Sequence, residues 1–257
     1  MVFTAALVHL SVGRCGSPVL GSGIVVRGIG DTGGRLHVQR LATPTVSSDG
    51  GSAPGTPEQI AGGVVTVSGT SVETVTHQGA VVTDGANDRA LAHWSVMDRW
   101  VAKAKVTTWG ASGRGCVTFG TRRDLRVEAP IDPCGPGAGG CTVSSGTVDR
   151  AAFDRIVVPA DGAVGVQIRQ PVGTMVVRRG IETFGGTGPS LVQGVVQTLA
   201  AIALSMTPGG SAPRITMESN LRTHGTDMVP LEHQGALQRL HVAGGFGHGE
   251  DAAVPLC

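Results

Sequence analysis

Ser190-Leu-Val-Gln-Gly-Val-Val-Gln-Thr-Leu-Ala-Ala-Ile-Ala-Leu-Ser-Met206 is followed, past a Gly/Pro break, by Arg214-Ile-Thr-Met-Glu-Ser-Asn-Leu-Arg-Thr-His224-Gly-Thr226. In the first part Val192, Val195, Val196, Leu199, Ile202, Ala203 and Met206 fall on one stripe at helical spacing. Ser190 is placed to cap the start, and Gly209 and Gly210 close the segment just beyond Pro208. The spacing therefore predicts a core-facing helix over 190–206. The second part reads as a strand over 214–221 that delivers His224 onto a small-residue turn. A strand fixes the height of the imidazole, the turn gives a ligand access, and open α/β sheets gather their sites at such strand ends. His224 is the leading candidate functional residue.

Working outward, Leu91, Trp94, Met97, Val101 and Ala104 recur every three or four residues, with Asn87 or Asp88 placed to cap. This predicts an amphipathic helix over 89–104, leading into a strand over 105–113 that ends on small residues. Residues 23–30 read as a buried strand with a glycine turn, and 61–83 as Val/Thr-rich strands with tight turns. The Thr/Ser/Gly/Pro-rich stretch 43–57 reads as a flexible connection or exposed loop. Together these units predict a single α/β domain over 1–257 with a mixed sheet; an all-β sandwich or barrel is the alternative.

Twenty basic against nineteen acidic residues leave a net charge of +1, which disfavours nucleic acid and anionic membrane surfaces as partners. No run of about 18 apolar residues is present, so no membrane-spanning helix is expected. With 41 Gly, no Tyr, five Phe and three Trp, the core must be built from Val, Leu, Ile and Ala. Five cysteines make an odd count, read as free thiols of a reducing compartment. Cys134 and Cys141 could instead close one loop, or supply two metal ligands if a histidine pair joined them. No ligand spacing supports that metal site, and no cofactor is expected. The start has no basic segment and its apolar run is broken by His9 and Arg14, so it does not read as a signal peptide, and the cytoplasm is the expected location.

The order of pieces resembles the β-ketoacyl synthases of the thiolase superfamily. His224-Gly225-Thr226 with Glu232 and Ala236-Leu237 is similar to the family's His-Gly-Thr segment with its downstream acid and Ala-Leu helix. Phe153-Asp154-Arg155 and Asp161-Gly162-Ala163-Val164 are similar to its Phe-Asp…Asp-Gly-Phe-Val segment. Gly245-Phe246-Gly247-His248 resembles its glycine-phenylalanine-glycine turn, and residues 23–30 its opening strand. The resemblance implies a layered thiolase-like core, acyl transfer to a thiol, decarboxylation of a malonyl thioester on acyl carrier protein, and carbon–carbon bond formation in a homo- or heterodimer. His224 would hydrogen-bond the thioester oxygen and His248 would be the second histidine. Members place a cysteine at the start of a buried helix. The matching position lies near Asn87 and Asp88, and no cysteine lies between Cys15 and Cys116, so Cys116 or Cys134 would have to serve, or the chain is an impaired partner subunit. No lysine follows Lys105, where the family has one.

Three further readings stand beside it. Asp88, Trp109-Gly110 and Gly186-Thr187-Gly188-Pro189-Ser190 outline a trypsin-like serine-type hydrolase with Thr187 in place of the serine. Gly28-Ile-Gly30-Asp-Thr-Gly33 has the spacing of a dinucleotide loop, though no amphipathic helix follows. The Cys134 loop resembles one thiol loop of cofactor-independent racemases, which need two. From a different class comes a non-catalytic, β-rich structural or binding protein, which the Gly/Val/Thr/Ser content suggests.

Overall fold

The computed structural model describes residues 1–29, 33–53, 55 and 61–249. Among these residues there is no helix, and apart from one antiparallel hairpin the strands pair in parallel. Three long sheets hold nine, nine and eight strands. The chain visits them in rotation: Val96–Ala102 joins the first sheet, Val106–Thr108 the second and Arg114–Thr118 the third. Thr121–Val127, Ile131–Pro133 and Gly139–Val143 then repeat the circuit one layer on. Trp100 pairs with Leu125, Val106 with Ile131 and Cys116 with Cys141. Positions 25 residues apart thus stack at the strand spacing of about 4.8 Å. This is a three-faced parallel β-solenoid, in which the strands of each coil pair only with those of the adjacent coils.

The expected layered α/β core is overturned, and the all-β chain is neither a sandwich nor a barrel. The predicted helix over 89–104 is two strands, Arg89–His93 and Val96–Ala102, with a turn at Trp94 and Ser95. Leu91, Met97 and Trp100 are buried, but two strand phases offset by a turn copy a spacing of three and four. The predicted helix over 190–206 is the hairpin of Thr187–Val192 and Val195–Ala200, then Leu204–Met206 in the third sheet. Gln193 and Gly194 take φ of 52° and 81°, so the two-residue turn has both residues left-handed and matches the twist of its strands. Val195 and Val196 are 60% and 56% exposed, so the stripe is not a core face. No helix among the described residues is long and apolar enough to cross a membrane.

The interior is a set of columns. Val81, Val106, Ile131, Ile156, Ile181 and Leu221 succeed one another in register along the second sheet, all fully buried. Each such side chain contributes roughly 1.5–3 kcal/mol on leaving water. Parallel strands enclosed by the coil need no polar alternation on their inner side, which suits the Val-rich composition. The corner between the second and third sheets is built from small residues. A Cβ on Gly110, Gly135, Gly185 or Gly225 would meet the backbone of the preceding coil at under 3.0 Å. Two residues beyond Gly85, Gly110, Gly135 and Gly225, the chain turns through left-handed Asn87, Ser112, Gly137 and Asp227. Glycine, Asn and Asp tolerate that conformation best.

Candidate binding cleft

At Thr187 the chain leaves the corner and the hairpin runs back over earlier coils. Ser190 Oγ donates to Gly137 O (2.7 Å), Leu191 N donates to Ser112 Oγ (2.8 Å), and the tip carbonyl of Gly194 accepts from Gly55 N (3.1 Å). Arg114 ties the strap down, donating from Nη1 to Gly137 O (3.2 Å) and from Nη2 to Ser190 Oγ (3.0 Å). Between this strap and the outer face of the third sheet lies a cleft of about 270 Å³.

Side chains one coil apart line it in two columns. Val117, Thr142 and Gln167 form one by strand register. Trp94, Phe119, Ser144 and Arg169, at steps of 25 residues, form the other. Trp94 and Phe119 stack with centroids 4.2 Å apart at 9°, and the Arg89 guanidinium lies 5.9 Å from both ring centres. Leu191, Val192 and Gln193 of the hairpin make the opposite wall. The cleft is thus apolar along its sides and carries three arginines, Arg89, Arg114 and Arg169.

No ion pair among the described residues engages these three, and Arg89 Nη1 is enclosed without a hydrogen-bond partner. Burial pulls Arg114 down to about 10, with the positive Arg89 beside it acting the same way. Burial also lowers Arg89, against the opposing pull of Asp88. Both remain cations at neutral pH. Two guanidinium groups in register, with only Asp88 acting on one of them, make this end of the cleft electropositive and suited to an anionic group.

The residues singled out from the sequence lie elsewhere. His224 follows Leu221–Thr223 at the corner, its ring stacked on Phe184 (4.3 Å, 7°), both ring nitrogens enclosed without a partner, and it does not line this cleft. His248 sits one coil on and donates Nε2–H to Gly225 O (2.9 Å). Cys116 points into the fully buried core, disulfide-bonded to Cys141, with Cα atoms 4.6 Å apart. The register steps from Cys116 through Cys141, Val166 and Leu204 to Leu231, so Cys116 lies four coils from the coil of His224. At about 4.8 Å per coil that is roughly 19 Å along the axis, too far for a thiol–imidazole pair. Cys134 and Cys141 do not close a loop with each other, since Cys141 is bonded to Cys116. Asp88 accepts from Gly50 N and Gly51 N (both 3.0 Å), and Thr187 opens the hairpin. Part of the Gly28–Gly33 loop and of the 43–57 stretch lies outside the described residues, while Val46–Asp49 within the latter is a strand.

Sequence reasoning missed the cleft residues because Arg89, Trp94, Arg114 and Phe119 meet only when the 25-residue step is known. That step was visible in Thr83-Asp-Gly85, Thr108-Trp-Gly110 and Thr183-Phe-Gly185, spaced 25 and three times 25 residues apart, and the same signature returns after the hairpin insertion as Thr223-His-Gly225. No family model matches the chain, and no curated protein or solved structure is significantly similar to it.

Proposed function

We propose that the chain is a non-catalytic binding module whose cleft beneath the hairpin strap takes an acidic saccharide. The carrying observation is the pair Arg89 and Arg114, half-buried and in register on adjacent coils, neither in an ion pair among the described residues, opening beside the Trp94–Phe119 rings. A sugar ring offers an apolar C–H face to aromatic and aliphatic walls, and its carboxylate or sulfate suits a planar guanidinium. Thr142, Ser144, Gln167 and Gln193 add the neutral donors and acceptors that hydroxyl groups need. The condensing-enzyme expectation needed a thiolate beside His224, which the four-coil separation from Cys116 does not supply. The Cys116–Cys141 bridge supports an oxidising compartment rather than the cytoplasm expected from the free-thiol reading.

Affinity electrophoresis tests the proposal with polygalacturonate in the gel and dextran as the neutral control. Retardation in polygalacturonate alone is expected. Arg169→Gln and Trp94→Ala should each weaken it by roughly 10- to 100-fold, the range of one charge-assisted contact. Equal mobility in both gels, or variants that bind like the parent, would refute it.

A further inference from the structure

A second arginine site lies inside the solenoid. Arg122 belongs to Thr121–Val127 of the first sheet, where the register places it between Met97 and Val148. All three residues are at most 1% exposed, so a guanidinium occupies a slot that its neighbours fill with apolar side chains. Its Nε, Nη1 and Nη2 are all enclosed and none has a hydrogen-bond partner. The Trp100 ring centre lies 4.8 Å from Cζ, and one ring face offsets only part of the loss of water around a cation.

The surrounding polar groups are equally unsatisfied. His93 is fully buried and neither ring nitrogen makes a well-formed hydrogen bond; burial, and then the charge of Arg122, hold it well below its ordinary pKa against a weaker pull from the Ser95 backbone. Thr118, in register with His93 on the next coil, has a buried hydroxyl with no partner. The other groups nearby are committed. His77 Nε2 accepts from Trp100 Nε1 (2.8 Å), so its Nδ1–H donates to Thr43 Oγ1 (2.6 Å). Asp124 pairs outward with Arg99 and Arg126. Burial brings Arg122 down to about 9, which leaves it a cation at neutral pH.

We infer that Arg122 holds a small monovalent anion of halide size within the solenoid, with the Thr118 hydroxyl and one N–H of His93 as further donors. A bound water would satisfy donors but leave the charge uncompensated; an anion does both. The site is independent of the outer cleft, which lies on the other side of the third sheet.

The test is thermal melting of the intact chain in chloride or bromide, with gluconate holding ionic strength constant, beside anomalous diffraction from crystals grown in bromide. Above saturation, each tenfold rise in halide should raise the melting temperature by about 3–5 °C, and Arg122→Met should abolish the rise. An anomalous peak should lie within hydrogen-bond distance of the guanidinium. Melting that is indifferent to halide, or bromide crystals with no peak at Arg122, would overturn the inference even if Arg122→Met fails to fold.

Discussion

Gly185 and Gly186 are adjacent in the sequence, neither has a left-handed φ, and the solenoid predicts opposite outcomes for alanine at the two positions. A Cβ on Gly185 would meet Ala160 O, Ala160 C and Asp161 N, all backbone atoms of the preceding coil and all under 3.0 Å away. No flexible side-chain end can give way, so the coils must separate, straining bonds such as Phe184 N to Val158 O (3.0 Å). Overpacking of this kind costs roughly 1–3 kcal/mol, and rigid backbone on the receiving side argues for the upper half. A Cβ on Gly186 would meet only Asp161 Oδ1, at 3.7 Å, an ordinary contact. There alanine loses nothing and reduces the freedom of the unfolded chain, a gain of about 0.5 kcal/mol. The pair should differ by about 3 kcal/mol in urea unfolding, or roughly 6–12 °C in melting temperature. If the two variants lie within about 0.5 kcal/mol of each other, or in reverse order, the stacking of coils at this corner is wrong.

The Cys116–Cys141 bridge closes a 25-residue loop. On chain entropy its reduction should cost about 3.5 kcal/mol, seen as a lower urea midpoint in dithiothreitol, and an unchanged midpoint would contradict the bridge. Acid should destabilise the fold through His77, which burial brings from 6.5 to about 3, and through His93, lowered by burial and then by Arg122. The unfolded chain binds these protons and the folded chain does not, so stability falls as pH drops below 6.5. The loss is on the order of 3 kcal/mol by pH 4 from His77 alone, and melting in buffers from pH 7 to 4 checks it. Asp88 works the other way: burial raises it to about 6, against the Gly50, Gly51 and Gly85 amides. It contributes stability that is lost as pH rises from about 4 through 6, so Asp88→Asn should make the acid loss steeper; an unchanged slope would exclude its role.

The local readings that survived are those where one strand carries its own evidence. The Val/Thr alternation over 61–83 yields Gly62–Thr66, Thr70–His77 and Val81–Thr83. The strand before His224 is present but breaks at 218–220 into Arg214–Met217 and Leu221–Thr223. The helices failed where a turn joined two strands, at Trp94-Ser95 and at Gln193-Gly194, because periodicity alone does not separate a helix from two offset strand phases. β-branched Val192, Val195 and Val196 were the local signal against a helix. His224 was legible as a strand-end residue but not as one stacked on Phe184, 40 residues earlier. The cleft was not legible at all, since Arg89, Arg114 and Arg169 converge only through the 25-residue step and a hairpin that crosses several coils.

That step can be measured as a length. Arg40, Arg150 and Arg214 are exposed on one column of the first sheet, linked in register through Thr74, Arg99, Asp124 and Thr174. Nitroxide labels on cysteines at these sites, in a background with Cys15, Cys134 and Cys257 replaced by serine, report distances by pulsed electron spin resonance. Four coils separate Arg40 from Arg150 and six separate it from Arg214, so the solenoid predicts about 19 Å and about 29 Å, an increment of about 10 Å. A 40–214 distance no longer than the 40–150 distance would contradict it.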